Sequence, residues 1–251
     1  MSHVEVGKKQ ETPNCWLMLG DSMEKISEIA DGSIDAIICD PPFNIVEKIG
    51  SNLHIFRQGE KQAESSISIE SMSFDVGFDQ LSWISIAARK LKKGGNMIIF
   101  NDWENMGDIA KESRKNKLTV KCLCHWQKPN PTPAEWGRRF VAGREYFIHI
   151  TKGGKNTFNT ESLHFGSFNV PLTPKSEKAN GKHPNQKPLK LMRQLVTVLT
   201  NHGDVVLDPF MGSGSTGVAC LELGRKFVGI EKDKVFFELA RSRLEDKKKP
   251  S

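Results

Sequence analysis

No stretch of this 251-residue chain approaches the run of about 18 apolar side chains that a membrane-spanning helix needs, so no spanning helix is expected. Met1 to Asn14 carries no apolar run either, and no cleavable leader is expected there. Cysteine is scarce: five residues, an odd number, are scattered along the chain. That usage does not fit a disulfide framework and suits a reducing cytoplasm. No internal repeat is present, and no pair of metal-ligand motifs at zinc spacing. Cys122-x-Cys124-His125 is half of such a pattern without a second half. Its two cysteines share one face of a predicted strand and read as buried structural thiols.

What remains is enough apolar chain, 37% of residues, to bury the core of one α/β domain. The formal charge of +6 favours phosphate backbones, although many basic proteins bind no nucleic acid. Lys247, Lys248 and Lys249 place part of that excess near one end.

Short apolar runs alternate with helical spacing. Strands are predicted at 15–19, 34–39, 97–100, 119–126, 144–151, 204–207 and 227–231. Helices are predicted at 22–29, 81–91, 103–116, 188–199, 216–223 and 233–244. Gly94-Gly95 reads as the C-terminal cap of the helix before it. The alternation argues for a mostly parallel sheet covered on both faces. Residues 15–246 are expected to form a single domain, with 1–14 and 247–251 as flexible tails. The polar stretches 44–80 and 152–182 read as mobile or target-recognition segments.

Two strand ends carry chemistry. After Val205-Val206-Leu207 come Asp208-Pro209-Phe210-Met211-Gly212-Ser213-Gly214-Ser215-Thr216-Gly217. Glycines 212, 214 and 217 fit G-x-G-x-x-G, a turn that lets backbone approach a ligand between a strand and a helix. The next strand ends in Glu231, placed to accept from the hydroxyls of a ribose. A plain βα turn would satisfy the glycines alone; the strand context and the acid favour a nucleoside. A dinucleotide is the rival ligand, but the Asp-Pro-Phe before the first glycine argues against it. The other strand, 34–39, runs into Asp40-Pro41-Pro42-Phe43. By itself this is equally a rigid turn.

Together these segments resemble the β group of S-adenosylmethionine-dependent DNA amino-methyltransferases. The Asp-Pro-Pro-Phe motif precedes the glycine motif, and His183-Pro184-Asn185-Gln186-Lys187-Pro188 is similar to the His-Pro-x-Gln-Lys-Pro segment of that group. The likeness spans about 16–244. It implies a Rossmann-like class I methyltransferase fold, a mostly parallel seven-stranded sheet with helices on both faces and a circularly permuted motif order. It also implies S-adenosyl-L-methionine as cofactor and DNA as substrate. The resemblance casts Asp40, Pro41, Pro42 and Phe43 as catalytic. The Asp40 side chain and the Pro41 carbonyl would accept from an exocyclic amine, and Phe43 would stack on a flipped base. Family enzymes more often have Tyr at the Phe43 position. Phe keeps the stacking face.

The resemblance assigns the cofactor to Asp21, Asp40, His183, Asn185, Asp208, Phe210, Met211, Gly212, Gly214, Ser215, Thr216 and Glu231. Asn185 stands where Thr or Ser is common. Asp21 would lie near the cofactor adenine on a strand beside that of Glu231; alternatively it is a helix N-cap. Lys187 could equally be a solvated surface charge. Lys128, Arg138 and Arg139 are candidates for DNA contact, with a solvated basic loop as the bland alternative.

The expected reaction is methylation of adenine N6 in DNA. Cytosine N4 is the nearest alternative, because it is the same transfer to another amine; Asp40, where Ser is commoner in the cytosine enzymes, favours adenine. A nicotinamide oxidoreductase or a non-catalytic DNA-binding module leaves Asp40 to Phe43 unexplained. A homodimer and a cognate restriction endonuclease are possible partners.

Overall fold

The computed structural model describes residues 9–12, 14–44, 77–131, 143–160, 164–181 and 183–247. Among these residues, nine strands form one sheet: β1 (Lys9–Thr12), β2 (Cys15–Leu19), β3 (Ile34–Cys39), β4 (Leu91–Asn101), β5 (Thr119–Gln127), β6 (Arg144–Thr151), β7 (Ser167–Asn169), β8 (Val205–Asp208) and β9 (Lys226–Glu231). Their lateral order is β1-β2-β9-β8-β3-β4-β6-β5-β7. The run from β2 to β4 is parallel throughout. β6 is antiparallel to both β4 and β5.

Among the described residues, six helices cover the sheet: α1 (Ser22–Ser27), α2 (Ser82–Lys90), α3 (Met106–Lys115), α4 (Leu189–Leu199), α5 (Ser215–Glu222) and α6 (Lys234–Asp246). Alternation along the strands assigns them to two faces. Ala36, Ile38, Ile98 and Phe100 join a core with Leu191 and Leu195 of α4, Val218 of α5 and Leu244 of α6. Ile37, Cys39, Met97 and Ile99 point the other way, into a core with Ile26 of α1, Trp83 of α2 and Ile109 of α3. Burying each isoleucine contributes about 1.5–3 kcal/mol, and a one-residue slip would reverse every side chain. Among the described residues, no helix is long and apolar enough to cross a membrane.

The seven expected strands are present, and β1 and β7 extend the sheet at its edges. β1 lies within the segment read as a tail: Lys9 to Thr12 pair with Met18 to Cys15 of β2. β7, in the stretch read as irregular, pairs with His125 to Gln127 of β5, and a short 3₁₀ turn follows at Lys175–Lys178. Both strands are short and mostly polar, so periodicity does not announce them.

Gly94-Gly95 do not cap a helix. α2 ends at Lys90, the chain extends at once into β4, and both glycines lie within that strand. Gly94, at φ +84°, donates its N–H to the Lys152 and Gly153 carbonyls, and a Cβ on Gly95 would lie 2.9 Å from the Asp35 carbonyl oxygen. The pair allows close backbone approach at a register shift between β3 and β4. Cys122 is exposed rather than buried. Cys124 is buried beneath Gly166, and the two sulfurs lie 3.3 Å apart.

Candidate active site

Because β2, β9, β8 and β3 are parallel neighbours, their carboxyl ends share one edge of the sheet. Leu19 aligns with Glu231, Asp208 with Gly229, and Leu207 with Ile37. Asp21, Glu231, Asp208 and Asp40 therefore stand side by side along that edge, the usual ligand position in an open α/β sheet. A cavity of about 570 Å³ opens there. Asp40 to Phe43 line it, as do Asp21, His183, Asn185, Asp208, Phe210, Met211, Gly212, Ser215, Thr216 and Glu231. Two segments about 170 residues apart in sequence thus border one space.

Gly214 is the cofactor candidate that does not line the cavity. It is the N-cap of α5 at φ +74°, and a Cβ there would lie 3.0 Å from the Ala240 Cβ. Its part is to set the turn and allow α6 to pack closely. Gly217 does the same one turn on, against the Phe227 ring. Gly212, at φ +49°, does face the cavity side, where a Cβ would come within 2.9 Å of His183 Nε2.

The acids are held by the turns they begin. Glu231 accepts from the Gly212 N–H at 2.9 Å and the Asp233 N–H at 2.8 Å, one on each oxygen. Burial raises its carboxyl above the ordinary value, and these N–H groups oppose the rise. A carboxylate offers about four acceptor sites, so each oxygen keeps capacity for a hydroxyl. Asp208 accepts from the Thr216 hydroxyl at 2.8 Å and the Phe210 N–H at 3.1 Å. Burial pushes its carboxyl up to about 7 despite those bonds, with help from the charges of Asp40 and Glu231. Asp21 is a helix cap that also stands at the cavity. It caps α1 by accepting from the Met23 N–H at 2.9 Å, and it borders the cavity, where Lys232 pairs with it at 3.1 Å.

His183 packs edge-on against Phe236, with ring centroids 4.3 Å apart. Burial, reinforced by Lys187 and Arg243, pushes it down to about 4, so it is neutral near pH 7. Phe210 is wedged edge-to-face between Phe78 and Trp83, each 5.2 Å away.

On the other side, Gln80 donates to the Pro42 carbonyl at 2.5 Å, and the Asn101 amide donates to Gln80 at 2.8 Å. Asn44, in the left-handed region at φ 57°, bonds Phe78 twice: its amide donates to the Phe78 carbonyl at 2.8 Å and its carbonyl accepts from the Phe78 N–H at 3.0 Å. Residues 45–76, which hold most of the predicted recognition stretch, lie outside the described residues.

Sequence reasoning missed what surrounds Asp40. Lys187 is buried, not solvated: its ammonium pairs with Asp40 Oδ2 and with Glu145 Oε2 at 3.2 Å. Lys128, the described one of the three candidates for DNA contact, is engaged within the protein. Its ammonium pairs with Glu145 Oε1 at 2.5 Å and lies 4.8 Å from the Trp126 ring centroid. Arg138 and Arg139 lie outside the described residues. Arg243, also missed, is buried and donates to the Ser213 carbonyl, bracing the glycine turn from α6.

Residues 34–242 match the DNA methylase family that groups N6 and N4 enzymes. Type II methyltransferase M2.LlaDCHI of Lactococcus lactis subsp. cremoris is 30% identical, over 93% of this chain and 90% of its own length. Type II methyltransferase M2.MboI of Moraxella bovis is 29% identical, over 90% and 86%. The crystal structure of an M1.HpyAVI–SAM complex matches with TM-score 0.72 and 29% identity, over 92% of this chain and 98% of that one. The cytosine-N4-specific PvuII DNA methyltransferase shares the fold, with TM-score 0.71 at 18% identity over 96% and 90%. The chain belongs to the family of N6 and N4 DNA amino-methyltransferases.

Proposed function

We propose that this DNA methyltransferase transfers a methyl group from S-adenosyl-L-methionine to the N6 amino group of adenine. The observation that carries the reading is the single cavity bordered by both Asp40–Phe43 and Asp208–Glu231.

The residues on the Glu231 side suit a nucleoside donor. Gly212, at φ +49°, keeps the turn free of a side chain beside His183, and Glu231 keeps acceptor capacity at the end of β9. Asp21 lies on the neighbouring strand end, in reach of an adenine, and Phe210 borders the same space. S-adenosyl-L-methionine supplies an electrophilic methyl group on a sulfonium.

An exocyclic amine is a poor nucleophile because its lone pair is delocalised into the ring. In this reading Asp40 and the Pro41 carbonyl accept its two N–H bonds and favour a more tetrahedral nitrogen. The amine then forms its N–C bond as the methyl leaves sulfur, and it releases one proton to water. Phe43 supplies a face for a base taken out of the stack. Holding two reactants in a near-attack geometry is worth about 7–11 kcal/mol, and positioning is what this edge of the sheet offers.

The PvuII comparison shows that the fold serves a cytosine enzyme as well, so specificity has to be argued from residues. Asp40 favours adenine. We assign phosphate contact to Arg138 and Arg139 on sequence alone. The Type II designation of both relatives supports a cognate restriction endonuclease as partner. Five free cysteines support a reducing, cytoplasmic setting.

The test is to methylate DNA with labelled donor, digest it and separate the nucleosides by mass spectrometry. N6-methyladenine is expected. N4-methylcytosine without N6-methyladenine would overturn the adenine assignment.

A further inference from the structure

Four charged side chains from four parts of the chain form a line leading away from the cavity. Asp40 follows β3, Lys187 precedes α4, Glu145 belongs to β6, and Lys128 follows β5. The Lys187 ammonium sits between Asp40 Oδ2 and Glu145 Oε2, and the other Glu145 oxygen takes Lys128. The Lys187 side chain is 9% exposed. The ammonium also lies 5.8 Å from the centroid of Phe43 and 5.2 Å from that of Phe100.

Burial alone would push the Lys187 ammonium down; the two carboxylates reverse this and hold it charged. Burial would likewise push Glu145 up, and the two lysines hold it ionised. Buried ion pairs are poor contributors to stability compared with apolar packing of the same volume. Packing is therefore a weak explanation for two cations and two anions ending on the motif that meets the substrate.

We infer that Lys187 and Glu145 are positioning residues for methyl transfer: Lys187 fixes the Asp40 carboxylate by one oxygen, which sets the direction of the other toward the amine, and Glu145 limits how strongly Lys187 draws on Asp40. The inference rests on the reading of Asp40 as the amine acceptor. Glu145 lies in no motif, and only the pairing of β6 beside β4 brings it to this place.

Other titratable groups near the line are Asp208 on β8, with Glu231 beyond it, the Cys39 thiol before Asp40, and His183 before Lys187. All are common to the variants below, so shifts are read against the wild-type protein.

The experiment measures the single-turnover rate of methyl transfer against pH on a DNA duplex, with saturating donor. Lys187→Met is expected to lower the rate at least tenfold and to move the acidic limb up by about one pH unit, because a neighbouring cation is lost. Glu145→Gln is expected to move that limb down, because Lys187 then acts on Asp40 alone. Lys187→Arg, which keeps the charge, is expected to return the limb toward its wild-type position. Donor affinity should stay within about threefold throughout, since the Lys187 ammonium is engaged by Asp40 and Glu145 and Glu145 does not line the cavity.

If Lys187→Met does not fold, Glu145→Gln carries the test, since it leaves the Lys187–Asp40 pair in place. An unmoved limb in the folded variants, with rates falling only in step with thermal stability, overturns the inference. Asp40→Ala separates the two levels. If it retains activity, the reading of Asp40 fails; if it is inactive while the limb is unmoved, only the positioning role fails.

Discussion

Replacing Thr216 by Val nearly preserves side-chain volume and deletes one hydroxyl. That hydroxyl donates to Asp208 Oδ2 at 2.8 Å, and both residues are 4% exposed. A hydrogen bond to an ionised partner is worth about 1.5–3 kcal/mol, one between neutral groups about 0.5–1.5 kcal/mol. Which figure applies depends on pH, because burial pushes the Asp208 carboxyl from its ordinary 3.8 up to about 7. At pH 8.5 the group is an anion in the folded protein, and the substitution should cost about 1.5–3 kcal/mol. At pH 5.5 it is protonated and the cost should fall to about 0.5–1.5 kcal/mol.

The direction of the underlying pH dependence follows from the raised value. A carboxyl that binds its proton more tightly when folded favours folding most below pH 3.8, and that contribution is lost as pH rises through about 7. Thr216→Val removes a bond that favours the anion, so it raises the folded value further and steepens the loss. Urea denaturation of both proteins at the two pH values measures the difference. Equal destabilisation at pH 5.5 and 8.5 would refute the reasoning, since it would mean that Thr216 never faces a titrating carboxyl.

Other substitutions test the glycine turn and the acid itself. Gly217→Ala places a Cβ 2.6 Å from two Phe227 ring carbons and 2.9 Å from Leu244, and should destabilise by about 1–3 kcal/mol in the same denaturation assay; an unchanged midpoint would contradict the packing. Gly212→Ala combines φ +49° with a contact 2.9 Å from His183 Nε2. It should cost about 1–2 kcal/mol and weaken donor binding in calorimetry. Asp208→Asn should flatten the fall in stability between pH 4 and 7, and an unchanged slope would place that titration elsewhere.

The parts of the site legible in the sequence are those whose chemistry is local. Asp40-Pro41-Pro42-Phe43 and the glycine turn each follow a short buried strand, and that succession can be read from a dozen residues. The neighbourhood of Asp21 and Glu231 was legible too, since the permuted motif order implies that β2 lies beside β9, as it does. What escaped depends on distant pairing. Lys187 meets both Asp40 and Glu145 only because β6 returns beside β4 and the segment before α4 comes to the same edge. A lysine in a polar motif gives no local sign that it will be buried.

Edge strands escaped for a different reason. Lys-Gln-Glu-Thr in β1 and Ser-Phe-Asn in β7 have too little apolar character to show a period of two, and partner strands define them. The Gly94-Gly95 pair was misread because a glycine that ends a helix and one that eases a strand past a neighbouring carbonyl look alike without the neighbour.

The central claim is that one cavity has a half that grips the donor and a half that presents the amine. Calorimetric titration of S-adenosylmethionine into Asp40→Ala and Glu231→Ala, paired with transfer rates on DNA, tests it most directly. Asp40→Ala should bind the donor within about threefold of wild type yet transfer at least about a hundredfold more slowly, and Glu231→Ala should lose about 10- to 100-fold in donor affinity. An Asp40→Ala protein that still methylates DNA at the wild-type rate, or a Glu231→Ala protein that binds the donor unchanged, would contradict it.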